Sequence, residues 1–327
     1  MIVTVGVKAL NEERHIEACL ASAVAAVAPY RGEVILGDCG STDRTIEIAK
    51  KFPVRIFQLA DPSQRSCGAG AQLAFQNASG AFYYMLDGDM VLSPDFLATG
   101  IEYLRNHPDV AGVGGRVRQM NTENVEYRIR AESNETDPGL RVGVVDRLDC
   151  GGLYRADALK TVGYFADRNL HAFEEFELGA RLQAAGWKLA RIEAPAVEHY
   201  GHTGAGFGLL AKWLRTGYAS AAGEVVRAAI GRPQFPIVVR QLGHVRNAAV
   251  VIVWWLLVLY FAFKAWPVSL ALVLIPLAFL AVRRKSLTTG LYSFAMWNVY
   301  GYGLVAGLFQ RRIPPATKID YVELSSI

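Results

Sequence analysis

Short runs rich in β-branched and aromatic residues alternate with alanine- and leucine-rich stretches along the first 120 residues. Residues 2–7, 33–37, 54–59, 82–86 and 110–117 read as strands, and 12–27, 42–51, 64–78 and 94–106 as helices. This alternation predicts an α/β fold with a mostly parallel sheet covered by helices on both faces. Sheets of this kind bind ligands beyond the carboxyl ends of their strands. The turns that follow the strands are therefore where chemistry is expected.

From residue 207 the pattern changes. Phe207, Leu210, Leu214, Tyr218, Ala221, Val225 and Ala229 recur at helical spacing, with Lys212, Arg215, Arg227 and Arg232 off the stripe. An apolar stripe flanked by basic residues suits a helix lying on an anionic membrane surface, although a core helix of a soluble domain carries the same stripe. Residues 247–263 and 265–282 are then almost wholly apolar, with Lys264 between them. A spanning helix needs about 20 apolar residues. The pair reads as a transmembrane hairpin, against the alternative of two buried helices in a soluble core. Residues 286–310 are uncharged but diluted by Thr288, Thr289, Ser293, Asn298 and several glycines. They read as a third membrane-associated segment. It either lies in the interface or packs as a span through Gly301, Gly303 and Gly307.

Charge sharpens this division. Residues 1–203 hold 21 Lys/Arg against 27 Asp/Glu, a net of −6, and residues 204–327 hold 13 against 3, a net of +10. The whole-chain +4 conceals both numbers. The basic surplus lies among the most apolar residues rather than on a soluble face, which argues against nucleic acid as a partner. Arg240 and Arg246 precede the hairpin, and Arg283, Arg284 and Lys285 follow it. The positive-inside rule puts both flanks in the cytoplasm, together with the front half. No basic start with a long apolar run opens the chain, so no signal peptide is read there. Cys19, Cys39, Cys67 and Cys150 form no C-x-x-C motif and suit a reducing compartment. The expected organisation is a catalytic domain over 1–203, amphipathic interfacial helices over 204–246 and a membrane domain over 247–327.

Five segments carry candidate chemistry. Asp87-Gly88-Asp89 ends an apolar strand. Two carboxylates there are costly unless a cation needs them, and hard oxygen ligands suit Mg²⁺ or Mn²⁺ shared with a substrate diphosphate. Asp38 ends the second strand, where a carboxylate can accept hydrogen bonds from a base or ribose. Arg65 lies near a helix start among small residues and suits an anionic group such as a diphosphate. Glu174 and Glu175 open a later helix, favoured there by its dipole. A carboxylate in that place also suits a general base. His199 and His202 lie close together beside Gly201, within reach of a metal or a diphosphate. Each motif also has a bland reading: a solvated turn, a surface arginine, a capped helix, a structural histidine.

The order of these motifs resembles the family 2 glycosyltransferases of GT-A (Rossmann-like) fold, over roughly residues 1–203. The family's opening strand and N-E-E turn resemble Val7 to Glu13, including Asn11 and Glu12. Its D-D-G-S-T-D-x-T turn resembles Asp38 to Thr45, and its D-x-D is Asp87-Gly88-Asp89. Its G-G-x-x-x-R segment resembles Gly151-Gly152-Leu153-Tyr154-Arg155, and its E-D-x-E-L-x-x-R-L helix resembles Glu174 to Leu182. The resemblance implies a metal-dependent, inverting transferase that uses a nucleotide-sugar. Asp38 is then expected at the base, Asp87 at the ribose or metal, Asp89 at the metal, and Glu175 as catalytic base. It implies further nucleotide-sugar contacts at Asn11, Glu12, Gly88 and Glu174, to which the reading of Arg65 beside a helix start adds a fifth. His199 is a further metal candidate, and Gly151, Gly152, Arg181 and His202 fall on the acceptor side. Two positions depart from the pattern: Cys39 replaces the second Asp of D-D-G, and Glu175 replaces the usual Asp base. The Q-x-x-R-W motif of processive synthases is absent, the comparable stretch being Ala211-Lys212-Trp213-Leu214-Arg215. The expectation is transfer of one sugar from a UDP- or GDP-sugar to a lipid-linked acceptor at the cytoplasmic face of the inner membrane, with membrane lipids as partners. A polyprenyl-phosphate sugar synthase and a non-catalytic sugar-nucleotide-binding assembly component are the alternatives. A dinucleotide dehydrogenase is disfavoured because no G-x-G-x-x-G follows the first strand.

Overall fold

The computed structural model describes residues 3–121, 139–201 and 206–324. The chain divides into two compact units, Met1–Thr203 with Arg312–Ile327, and Gly204–Arg311.

In the first unit, β1 (Val3–Ala9), β2 (Glu33–Asp38), β3 (Arg55–Leu59) and β4 (Phe82–Asp87) run parallel in the order β3-β2-β1-β4. Helices α1 (Ile16–Val27), α2 (Thr45–Ala49), α3 (Cys67–Gln76) and α4 (Phe96–Asn106) alternate with them. Val3, Val5 and Val7 of β1 enter the core with Leu36, Ile56, Leu86 and Phe96. On the other face Thr4 is buried as well. A central parallel strand is covered on both sides, so its sequence does not alternate cleanly. Gly6 is required there because a Cβ would fall 2.1 Å from the Tyr83 hydroxyl.

Past β4 the sheet is mixed. The expected strand at 110–117 forms β6 (Val110–Gln119), but it does not neighbour β4. β8 (Gly152–Arg155) lies between them, antiparallel to both. β9 (Lys188–His199) runs parallel to β6. β5 (Met90–Leu92) and β7 (Gly143–Val145) pair with β9 antiparallel. Helices α5 (Ala156–Thr161) and α6 (Glu174–Ala184) complete this half.

The chain after Arg311 belongs to this first unit rather than to the apolar one. Arg312 Nη2 donates to the fully buried Asp167 carboxylate at 2.7 Å. The Asn169 amide brackets the Ile313 backbone, accepting from its N–H and donating to its carbonyl, both at 2.8 Å. Gln76 does the same for Ile319 at 2.8 and 3.0 Å. β10 (Tyr321–Glu323) then adds antiparallel to β3 and covers that sheet edge. Ile319 is buried among Ile35, Phe57, Leu59 and Leu73.

In the second unit the amphipathic stretch is not one helix. It breaks at Gly217, whose φ of +82° is the left-handed geometry that ends helices. α7 (Gly206–Thr216) precedes the break, and α8 (Ala221–Ala229) and α9 (Phe235–Gln241) follow it. The apolar runs form α10 (Gly243–Lys264) and α11 (Trp266–Arg283), and the diluted third segment forms α12 (Leu287–Phe309). Hydrogen bonds zip the α10–α11 pair, from Trp254 Nε1 to the Leu272 carbonyl at 3.1 Å and from Ser269 Oγ to the Val258 carbonyl at 2.9 Å. Small residues let backbones approach: Gly290 lies against Ala281 and Gly301 against Val251, whereas Gly303 and Gly307 lie against Ala219 and Ser220. Among the described residues, α10 and α11 are the two helices long and apolar enough to cross a membrane. Their side chains are largely unburied, with Phe263 at 90% and Val282 at 77% exposure. A soluble core buries such residues.

The docked tail yields a stability prediction. Ile319→Ala is expected to lower the stability of the first unit by about 2–5 kcal/mol, the usual cost of emptying a buried isoleucine site. The denaturant midpoint of the purified chain reads this, and an unchanged midpoint would mean that the tail is not packed there.

Candidate active site

The site is built where β1, β2 and β4 end. The turn after β1 is locked to the turn after β2 by a set of hydrogen bonds. Asn11 N–H donates to Ser41 Oγ at 2.9 Å, and Asn11 Oδ1 accepts from Thr42 N–H at 2.8 Å. Glu12 N–H donates to Thr45 Oγ1 at 2.8 Å, and Glu13 N–H to Asp43 Oδ2 at 3.1 Å. Asn11 takes φ +59°, a left-handed conformation that asparagine tolerates better than most residues. Asn11 and Glu12 are thus first of all the residues that hold two strand-end turns in register.

Asp38 is fully buried. Its Oδ1 accepts from the Gly40 and Ser41 N–H groups at 2.9 Å and from Gln58 Nε2 at 3.0 Å, and its Oδ2 accepts from Ser41 Oγ. The carboxylate shapes the turn from within. Cys39, at the departing position, is buried, and burial beside Asp38 pushes its thiol up to about 12. The neutral Sγ lies 3.6 Å from the Ser66 carbonyl, joining this turn to the start of α3. Ser66 caps α3 through the Ala69 N–H at 2.8 Å. Arg65 beside it is exposed, its Nε donating to the Pro62 carbonyl at 3.0 Å.

β4 delivers Asp87 and Asp89 to different partners. Gly88 N–H bonds the Lys8 carbonyl and Tyr200 N–H bonds the Asp89 carbonyl, both at 3.0 Å, so the D-G-D turn is tied to β1 on one side and to the end of β9 on the other. A Cβ at Gly88 would meet Glu12 Cγ at 3.0 Å. Asp87 Oδ1 lies 3.2 Å from Lys8 Nζ. Asp89 Oδ2 lies 3.4 Å from His199 Nε2. His199 is buried and its Nδ1 lies 2.8 Å from Gln119 Oε1. With Nδ1 committed to that acceptor, Nε2 faces the carboxylate, and a proton or a cation between them satisfies the pair. Burial opposes charge on Asp89, but the His199 contact outweighs it and holds the carboxyl below its usual range.

The fourth piece is the start of α6. Phe173 takes φ +65°, uncommon for a bulky residue and often associated with functional loops. This backbone turns Glu174 and Glu175 toward the strand ends. Lys8 Nζ hydrogen-bonds Glu174 Oε1 and lies 3.5 Å from Glu175 Oε1. Glu174 is almost wholly buried, and the Glu175 side chain is 16% exposed. Burial, with Glu174 adjacent, raises Glu175 to about 8 despite the opposing pull of Lys8. Burial also raises Asp87, with Lys8 again pulling it down. On Lys8 burial disfavours the charge, but Asp87, Glu174 and Glu175 together outweigh it and raise its pKa.

The structure therefore brings Asp87, Glu174 and Glu175 onto one ammonium, with Asp89 and His199 beside them. Lys8 itself escaped sequence reading. It sits in a valine-rich strand and looked like a strand residue only. Gly151 (φ +93°) and Gly152 start β8 next to Tyr84 and Met85 of β4. Arg181 is not among the gathered groups. It is buried, pairs with Glu177 at 2.9 Å, donates to the Tyr164 and Phe165 carbonyls, and stacks 3.9 Å over the Tyr164 ring. His202 lies outside the described residues. Among the described residues no three His, Cys, Asp or Glu side chains form a ready metal cage. Asp89 and His199 are a facing O/N donor pair of suitable spacing, which fits a divalent ion completed by ligands from a bound substrate.

A sequence profile described as glycosyl transferase family 2 matches residues 4–163. The chain is 26% identical over 201 residues to the succinoglycan biosynthesis protein ExoA of Rhizobium meliloti, covering 58% of this chain and 61% of that one. It is 26% identical over 120 residues to the dolichol-phosphate mannosyltransferase of Pyrococcus furiosus, covering 36% and 33%. It thus spans about three fifths and one third of these relatives' lengths. Among solved structures it is similar to the mannosyltransferase PcManGT from Pyrobaculum calidifontis in complex with GDP-Man and Mn²⁺, at 19% identity and TM-score 0.63, over 94% of this chain and 87% of that one. It is also similar to S. aureus TarS 1–349 in complex with UDP, at 17% identity and TM-score 0.54, over 74% and 66%. At these identities the two structures speak for the fold alone.

The raised Glu175 carboxyl is directly observable. Infrared difference spectra of the metal-free chain are expected to show a protonated carboxyl band at pH 7 that disappears as pH rises through about 8. The band should be missing from Glu175→Gln; its persistence there would assign it to another group.

Proposed function

The chain is a family 2 glycosyltransferase, and from that premise we propose that it moves a single sugar, with inversion, from a UDP- or GDP-sugar to a lipid-linked acceptor. The observation that carries this reading is Glu175, a carboxyl held beside the Asp87-Gly88-Asp89 turn at the ends of parallel strands. In the proposed reaction the acceptor hydroxyl attacks the anomeric carbon while the bond from that carbon to the diphosphate oxygen breaks. Glu175, when ionised, takes the hydroxyl proton. Asp89 and His199, with Asp87 next to them, would hold Mg²⁺ or Mn²⁺, whose charge offsets that of the leaving diphosphate. Arg65, exposed just before the cap of α3, and the Asn11–Glu12 turn after β1 are proposed to contact the donor.

A second reading is favoured by the similarity to a dolichol-phosphate mannosyltransferase. A phosphate acceptor is already anionic and needs no base. The two readings separate on one variant. Glu175→Gln is expected to lower transfer by about 10²–10⁴-fold if a hydroxyl is attacked, and to leave it nearly intact if a phosphate is. Asp89→Ala is expected to abolish Mn²⁺- or Mg²⁺-dependent transfer under both. Labelled UDP- and GDP-sugars incubated with bacterial membranes, followed by lipid extraction, supply the assay. Full activity of Asp89→Ala would sink the metal assignment.

Membrane attachment rests on α10, α11 and their basic flanks. The return of the chain adds a constraint. Gly204–Arg311 is joined at both ends to the same folded unit, and the tail from Arg312 is strapped to Asp167, Asn169 and β3. Both junctions must lie on one side of a bilayer, so the crossings are even in number. The reading is that α10 and α11 cross and α12 does not, and that Arg283, Arg284, Lys285, Arg311 and Arg312 stay cytoplasmic, as the positive-inside rule requires. In intact cells a cysteine placed at Ala265, between α10 and α11, should react with an impermeant maleimide. Cysteines at Arg284 and Thr317 should react only after lysis. Labelling of the Thr317 variant from outside would refute the even topology.

A further inference from the structure

Lys8 is a cation that neither the family profile nor the motif reading assigns. It projects from β1 on the face it shares with Thr4 and Gly6, and its side chain is only 15% exposed. Burying an ammonium costs several kcal/mol unless its partners are well placed. Here they come from two elements far apart in sequence: Asp87 at the end of β4, and Glu174 and Glu175 at the start of α6. No other Lys or Arg is paired with any of these three carboxylates among the described ion pairs. Among the described residues, the other groups acting on Glu175 are anionic or neutral. Glu174 lies on its own helix, Asp87 is on β4, Asp149 and Tyr154 come from the β8 region, and Cys67 starts α3. Asp149 is itself paired to Arg147 at 2.7 Å.

We infer that Lys8 is the positioning residue for the Glu175 base, clamping it to the end of β4 and keeping its carboxyl ionisable in a crowd of like charges. This rests on the reading of Glu175 as the base. The chemistry is that of a fixed counter-ion. A carboxyl among carboxylates holds its proton, and an ammonium 3.5 Å away favours the ionised form that accepts the acceptor's proton. The direction agrees with the pull that Lys8 exerts on Glu175 against burial. Because Lys8 contacts Asp87 and Glu174 too, it ties the base to the donor-binding turn by a path that involves no metal ligand other than Asp87. Lysine also adds three donors, enough for one bond to each carboxylate.

The test compares the wild type with Lys8→Met and Lys8→Arg. Lys8→Met is expected to lower kcat at pH 7 by about tenfold or more, with much of the rate regained by about pH 9, because loss of the ammonium moves Glu175 upward. Binding of UDP–Mn²⁺ or GDP–Mn²⁺, measured by calorimetry, should change by less than about threefold, since Asp89 and His199 remain. Lys8→Arg keeps the charge and should retain a wild-type pH profile. The Glu175 carboxyl band gives a readout that needs no substrate: in Lys8→Met it should persist to higher pH than in the wild type. If Lys8→Met does not fold, Lys8→Gln, which can still hydrogen-bond Glu174, takes its place in the same measurements. A wild-type rate, pH profile and band in the neutral variant overturn the inference. So does a loss that is equal at every pH and accompanied by lost nucleotide binding, which is the mark of a structural role. If instead Lys8→Met shows the band persisting to higher pH but Glu175→Gln transfers sugar at full rate, the assignment of the base fails while the Lys8–Glu175 coupling stands.

Discussion

The candidate site depends on the compensation of buried negative charge at the ends of β1 and β4. Asp87, Asp89, Glu174 and Glu175 are gathered there with side chains between 4% and 28% exposed. Like charges at this density cannot all be ionised without counter-charges, because each is desolvated and each raises the others. Among the described residues, Lys8 contacts three of the carboxylates and His199 faces the fourth. Burial and the neighbouring carboxylates push Glu175 up to about 8 and raise Asp87 as well. A divalent cation at Asp89 and His199, as proposed, would offset part of this negative charge.

Bringing these groups together requires backbone geometry that the surrounding turns enforce. Asn11, Cys150 and Phe173 are three non-glycine residues with positive φ, at 59°, 60° and 65°. They sit respectively in the turn after β1, just before β8 and immediately before α6. Each would relax to an ordinary conformation in isolation. They are held by bonds made elsewhere: the Asn11–Thr42 and Glu12–Thr45 bonds, the β4–β8 ladder, and the Glu177 N–H bond to the Phe173 carbonyl at 2.9 Å. The strain and the charge crowding occupy the same strand ends, as expected where a site is preorganised before its ligands arrive.

How much of this was legible in the sequence follows from how local each determinant is. Strands β1 to β4 and their helices are encoded by nearby hydrophobic periodicity, and their positions were readable to within a few residues. The insertion of β8 between β4 and β6 was not, because antiparallel pairing between residues about 70 apart leaves no local periodic mark. The same holds for β10, three residues long and paired to a strand over 260 residues earlier. The D-x-D turn and the Glu174–Glu175 pair were visible because acidic residues stand out beside apolar runs. Lys8 was not, since one lysine in a valine-rich strand announces nothing until the elements carrying its partners are placed. Arg181 shows the reverse case. Its place in a family motif suggested contact with an acceptor, whereas its Glu177 pair and the Tyr164 ring reveal a residue that fastens α6 to the loop before it. The long amphipathic helix expected over 207–232 failed at Gly217, since a helical stripe is insensitive to one left-handed residue.

The opposite charges of the two halves take on a physical meaning through the site. A nucleotide-sugar is anionic at its diphosphate, and the front unit is net negative with its carboxylates concentrated at the strand ends. Coulomb repulsion in a partly desolvated site opposes such a donor unless positive charge arrives with it. Lys8 is already saturated by three carboxylates and cannot serve both. Arg65 is exposed, where solvent screens it. A cation held at Asp89 and His199, as proposed, would supply that positive charge, and metal and donor binding would then favour each other by linkage, each raising the affinity for the other by the same factor. The basic surplus of the rear half cannot do this work. It flanks apolar helices at Arg240, Arg246, Arg283, Arg284 and Lys285, positions suited to an anionic membrane surface rather than to a diphosphate. On the proposed function, these opposite charges answer separate needs: a cation to bring an anionic donor to an acidic site, and basic flanks for an apolar helix pair at a bilayer.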